Sequence, residues 1–148
     1  MKKILFFALA LVAGVLAFTS CNNNDPKHPL QNIKFVCDYP QRGDLFWQES
    51  MYFGTGEAFE YAFVAYSDEA HTKAVSGDGA TGTYEIQDEY IDLHYKKGYL
   101  YEGSSKKEIS AYQPRDERVY YTLKDDVLTL TFNKGELTEY SQVYYKQK

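Results

Sequence analysis

Few residues in this 148-residue chain are of the types that do chemistry, and their spacing is loose. Two cysteines, Cys21 and Cys37, and three histidines, His28, His71 and His94, make up the whole supply of thiol and imidazole. His28 falls in a polar stretch broken by prolines, and His71 in a loop. His94 stands two residues from Asp92 on the polar face of a predicted strand, facing Glu85, and so offers a metal two or three ligands. A third nitrogen or thiolate ligand is missing, and a solvated face of alternating charge accounts for the same residues. Gly77-Asp78-Gly79 suggests a calcium turn but lacks the regularly spaced oxygens that such turns use. No nucleophile stands beside a base, and no carboxylate pair marks a cleft. The expectation is a non-enzymatic protein that uses no metal and no cofactor.

Binding residues are easier to name. If Trp47, Met51 and Phe53 point inward, strict alternation carries Glu49 in with them, where an unpaired carboxylate is costly. Either Glu49 sits at a mouth, or the opposite register turns Phe46, Gln48, Ser50 and Tyr52 inward, and these two readings form the expectation. The remaining reading is a buried carboxylate paired with a tyrosine hydroxyl, a polar handle for a ligand. The 15 tyrosines offer flat apolar faces with a wet hydroxyl. Trp47, Tyr61, Tyr84, Tyr95, Tyr121 and Phe132 are the expected lining of an internal ligand site. In the alternative, outward aromatics such as Trp47, Tyr90, Tyr120 and Tyr144 meet a glycan or another protein. Cys37 reads either as a reactive thiol or, preferred here, as a small half-buried residue of an early strand.

The elements that must hold these residues are strands. Thr83 to Tyr95, TYEIQDEYIDLHY, is a strand, an acidic turn and a strand, and the same grammar returns 37 residues later in YYTLKDDVLTLTF, Tyr120 to Phe132. In the first copy Tyr84, Ile86, Ile91, Leu93 and Tyr95 share a face; in the second Tyr121, Leu123, Leu128, Leu130 and Phe132 do. Two hairpins with one apolar face each must share a core, to which Phe59, Tyr61 and Phe63 are expected to add. Further strands are predicted over Ile33–Tyr39, where Pro40 stops the first, over Leu45–Phe53 and Glu57–Tyr66, and over Thr138–Lys146. Ser67–Ala80 reads as a mobile loop with a short strand at Thr72–Val75, Gly103–Lys107 as an exposed loop, and Ile109–Gln113 as a weak strand closed by Pro114. Lys96-Lys97-Gly98 allows a turn or a bulge. No stretch after Cys21 has a 3.6-residue period. An antiparallel meander of this length manages its edges most simply by closing, and eight strands enclose an interior that side chains just fill or that admits one small ligand.

Ahead of this domain, Met1-Lys2-Lys3 and the apolar run Ile4–Phe18 read as a signal peptide over residues 1–20, too short to span a membrane comfortably. Phe18-Thr19-Ser20-Cys21 resembles the lipobox of bacterial lipoproteins, with small residues at the two positions before the cysteine and Phe where Leu is commonest. The resemblance implies cleavage before Cys21 and acylation of it, palmitate being one such chain, and more than one acyl chain gives a stable anchor. Residues 21–32 then form the lipidated cysteine and a tether, and 33–148 the domain. Cleavage removes Lys2 and Lys3 and no acid, moving the formal charge from −5 to −7. So acidic a chain is a poor partner for nucleic acid. Asn22 after the anchor favours the outer membrane, with the periplasmic or the surface face left open.

Phe53-Gly54-Thr55-Gly56-Glu57, Gly82-Thr83-Tyr84-Glu85-Ile86, Tyr90-Ile91-Asp92-Leu93, Leu123–Leu130 and Val143-Tyr144-Tyr145-Lys146 together resemble the small lipocalin-like lipoproteins of Gram-negative gut bacteria. The likeness covers Leu45 to the C-terminus. It implies a meander barrel behind a lipid anchor and lends no catalytic or binding residue. The expectation is an all-β, lipocalin-like barrel, monomeric, held in the cell envelope by lipid, whose partner is a small apolar molecule, a glycan or an envelope protein.

Overall fold

In the computed structural model the described residues run from His28 to Lys148. The signal segment, Cys21 and the tether up to Lys27 lie outside them. Alternation of apolar and polar side chains builds nine strands: β1 (Ile33–Arg42), β2 (Leu45–Phe53), β3 (Ala58–Tyr66), β4 (Ala74–Ile86), β5 (Tyr90–Glu102), β6 (Ser105–Glu108), β7 (Arg115–Lys124), β8 (Val127–Phe132) and β9 (Tyr140–Lys146). All pair antiparallel. The order is β1-β2-β3-β4-β5-β7-β8-β9, and β9 returns to β1, so eight strands form a closed barrel. β6 pairs only with the far half of β5. Closure gives each of the eight strands a partner on both sides over part of its length.

The two echoing hairpins are β4–β5 and β7–β8, and they lie side by side because β5 pairs β7, with Ile91 opposite Val119. Their apolar faces therefore merge. Tyr84, Ile91, Leu93, Tyr95, Leu128, Leu130 and Phe132 are buried in one cluster with Phe35, Met51, Phe53, Phe59 and Tyr144 from the other side of the barrel, and Ile86, Tyr61, Tyr121 and Leu123 pack against it. Each large side chain so enclosed contributes about 1.5–3 kcal/mol of transfer free energy. A barrel of this kind has two ends. At one of them Leu30 is fully buried in the same cluster, against which Ile33, Ile86 and Leu123 pack. His28 to Asn32 turn back on themselves to place it, with Asn32 N–H donating to the Phe53 carbonyl at 2.6 Å.

Several boundaries differ from the sequence reading, each for a physical reason. The expected loop Ser67–Ala80 ends at Lys73, and β4 runs unbroken from Ala74 through Gly77-Asp78-Gly79. Its small residues are poor strand formers alone, but β3 and β5 hold them from both sides. Glycine is needed there because a Cβ on Gly79 would press on the Tyr61 carbonyl and the Tyr101 ring that lies across the strand. β1 continues through Pro40 to Arg42. The register shifts between Tyr39 and Arg42, so the missing proline N–H falls in an irregularity. Gly103 and Ser104 form a two-residue turn, and Ser105–Glu108 pairs back as β6. Ile109–Gln113 is not a strand; a turn closed by Tyr112 N–H on the Ile109 carbonyl lays Tyr112 over Gly98. β9 begins at Tyr140, two residues later than expected.

A cavity at the open end of the barrel

β1 and β9 close the barrel through a short seam. Their register joins Phe35 to Lys146 and Val36 to Tyr145, and Gln147 N–H donates to the Lys34 carbonyl at 2.8 Å. Beyond those residues the two strands part. There a side chain takes over, with Gln142 Nε2 donating to Cys37 Sγ at 2.8 Å. The parting of β1 and β9, at the end of the barrel away from Leu30, opens a cavity of about 280 Å³. Its walls are Tyr39, Trp47, Tyr61, Phe63, Phe132, Tyr140 and Tyr144, with Gln142 and Glu49 between them and Arg42 at the rim.

Local packing fixes the walls. Trp47 stacks on Phe63 at 5.0 Å between ring centroids, and Tyr39 meets the same Phe63 edge-on at 5.5 Å. Across the cavity Phe132 and Tyr140, opposite each other in the β8–β9 register, stack at 4.8 Å. Glu49 stands between the two groups. Its Oε2 accepts from Tyr39 Oη at 2.6 Å and its Oε1 from Tyr144 Oη at 2.7 Å. Among the described residues no lysine, arginine or histidine nitrogen lies within 4.0 Å of it. Burial and the Glu49 charge together hold the Tyr39, Tyr61 and Tyr144 hydroxyls well above the usual phenol range, so they remain donors. Burial likewise pushes the Cys37 thiol up, against the pull of Gln142. Cys37 is a half-buried residue of β1, as the preferred reading has it.

The register of β2 thus places Trp47, Glu49, Met51 and Phe53 inside, opposite Tyr39, Cys37, Phe35 and Ile33. Of the two readings that formed the expectation for Glu49, the opposite register does not occur: Gln48 and Tyr52 lie on the outer face, where Gln48 Nε2 donates to Asp38 at 2.9 Å. Glu49 is half-buried beside the cavity and paired with two tyrosines. That partnership combines the mouth position with the phenol pairing weighed least.

Of the six residues expected to line an internal site, the structure brings three together: Trp47, Tyr61 and Phe132. The other three point inward but are spent elsewhere. Tyr84 is buried with its hydroxyl on the Gly54 carbonyl at 3.0 Å, and Tyr95 is buried with its hydroxyl on Glu117 at 3.0 Å. Tyr121 lies toward the closed end, its ring 6.3 Å from His28. Tyr39, Phe63, Tyr140 and Tyr144 were not singled out as lining, although the alternation of IKFVCDY already put Tyr39 on one face with Ile33 and Phe35. Trp47 and Tyr144, named as outward aromatics, face inward because β2 and β9 turn that side of the pleat to the core. Tyr90 and Tyr120 do face out, under the Arg118 and Lys134 side chains at 4.0 and 4.2 Å from their ring centroids.

The candidate ligands around His94 are engaged separately. His94 Nδ1 is 2.7 Å from Asp116 and its Nε2 3.9 Å from Glu85, while Arg118 holds both oxygens of Asp92 at 2.7 and 2.8 Å. The Arg118 guanidinium keeps the Asp92 carboxyl below the usual carboxylate range. Among the described residues no three His, Cys, Asp or Glu side chains converge as a metal ion would require. Compared with family models, curated proteins and solved structures, the chain matches none of them.

Proposed function

We propose that this protein is a lipid-anchored cell-envelope lipoprotein whose barrel is a binding module for one small, largely apolar molecule, held in the cavity beside Trp47 and Glu49. The observation that carries the reading is the cavity itself. A barrel of eight strands can fill its interior with side chains, and this one does so only around Leu93, Leu130 and Tyr144, leaving about 280 Å³ open above them. An apolar cavity of about 150 Å³ holds benzene. The space here suits a molecule of one or two rings rather than a long acyl chain. Aromatic walls with a few placed polar groups are the usual make-up of such sites. The anchor rests on the sequence alone: the basic start, the apolar run and the Phe18-Thr19-Ser20-Cys21 lipobox support acylation at Cys21, and Asn22 after it supports the outer membrane.

The single tryptophan is Trp47, so its emission reports directly on the cavity. Titrating the purified protein with 2-phenylethanol, a neutral single-ring probe, is expected to shift Trp47 emission saturably. Native mass spectrometry of protein taken from its own host is expected to show a small bound mass. An unresponsive Trp47 together with a bare mass would overturn the reading. Retention in the aqueous phase of a detergent partition would separately overturn the anchor.

A further inference from the structure

Glu49 stands in the cavity with no cation beside it, and that narrows the occupant. The geometry points to a small aromatic amine, an ammonium group on a one- or two-ring skeleton, as the ligand class, with Glu49 as its counter-charge and the surrounding rings as its cage. This rests on the cavity being a binding site, as proposed above.

Glu49 is set among apolar walls, and such a position is costly for a carboxylate unless it is paired. Its two partners, Tyr39 and Tyr144, are neutral donors, one to each oxygen. A carboxylate offers about four lone-pair sites, so each oxygen retains room for another donor. Both phenol bonds come from β-strand residues whose rings are pinned, Tyr39 against Phe63 and Tyr144 in the core. The carboxylate is thereby held in one orientation and is not neutralised.

The walls point the same way. Trp47, Tyr39, Tyr61, Phe63 and Tyr140 line one small space, and a cation over the face of such a ring gains about 0.5–2 kcal/mol, the more when water is excluded. An anion would meet Glu49 and the negative ring faces together. Arg42 is the one cationic side chain on the lining, and it stands exposed at the rim rather than on the carboxylate. Elsewhere on this barrel rings near a cation already have one: Lys106 lies over Tyr99, Arg115 over Tyr95, Arg118 over Tyr90 and Lys134 over Tyr120. Among the described residues none of the cavity's own rings carries such a partner.

Three probes of one shape and different charge test this: phenethylamine, 2-phenylethanol and phenylacetate, each titrated into the full protein while Trp47 emission is followed. Phenethylamine is expected to bind about tenfold or more tighter than 2-phenylethanol, the scale of one charge-assisted bond, with phenylacetate weakest. Glu49→Gln keeps the shape but removes the charge, and is expected to bring phenethylamine binding down to the level of 2-phenylethanol; far-ultraviolet circular dichroism like that of the wild type shows the variant is folded. Arg42→Gln is expected to preserve the amine preference, and the three probes on the unsubstituted protein decide the question should Glu49→Gln not fold. If the alcohol binds as well as the amine, or phenylacetate binds best, the inference is overturned and the binding function stands. If none of the three binds, the inference is overturned, and a bare mass in native mass spectrometry beside that result takes the binding function down as well.

Discussion

Glu49 is where single residues decide most. A carboxylate with two phenol donors has a definite price of disruption: removing one hydroxyl strips a partner from a half-buried charged oxygen, at about 1–3 kcal/mol. Tyr144→Phe, which keeps the fully buried ring, is expected to lower the unfolding free energy by that amount in urea titrations. The same change made in Glu49→Gln is expected to cost less, because both substitutions act on one hydrogen bond. A second residue-scale effect is tied to pH. His28 Nδ1 accepts the Leu30 N–H at 3.3 Å, and burial holds the imidazole below its ordinary value. The unfolded chain therefore takes up this proton first. Stability contributed here is full above about pH 6.5 and falls as pH drops through the folded value. Urea midpoints measured from pH 7.5 to 5 for the wild type and His28→Gln are expected to converge as pH falls, since the variant lacks the titrating ring. At this scale the sequence was only partly readable. Alternation brought Glu49 inside, but its partners Tyr39 and Tyr144 lie 10 and 95 residues away, and no local pattern pairs them.

Strands and turns were far more legible, because a hairpin writes its own register. The β4–β5 and β7–β8 turns are short and acidic, and the faces they present follow from period two alone. Illegible were the places where neighbours overrule propensity. The Ala-Val-Ser-Gly-Asp-Gly run has little beyond Val75 that favours a strand, yet β3 and β5 complete its hydrogen bonds on both sides. The long β4–β5 ribbon also bends. Thr81 pairs with Lys97 and Gly82 with Tyr95, leaving Lys96 as an extra residue. At that bend Gly82 lies so close to β5 that a Cβ would overlap the His94 carbonyl and touch the Phe59 ring. Since backbone cannot step aside, Gly82→Ala is expected to cost at least the upper end of the usual 1–3 kcal/mol for overpacking. Thermal unfolding checks it; an unchanged midpoint would mean the two strands are not pinched there.

On the scale of the molecule, closure was predictable from the meander, and the site was not. An argument from edges says that strands one and last must meet; it is silent on how far they meet. Here they join over Phe35–Lys146 and Val36–Tyr145 and then separate, so the seam is both the last link of the barrel and one wall of the cavity. Amides of β1 and β9 are expected to exchange with solvent deuterium faster than those of β4 and β5, which pair from Ser76–Glu102 to Ile86–Ile91. A ligand wedged against Tyr39 and Tyr140 is expected to slow that exchange on both flanks of the seam. The antiparallel seam has one more consequence. Ile33 and Lys146, where the barrel begins and ends, emerge together beneath the Leu30 plug, while Tyr39 and Tyr140 stand at the opposite rim. The described chain thus enters and leaves the barrel at its floor, and the opening lies at the other end.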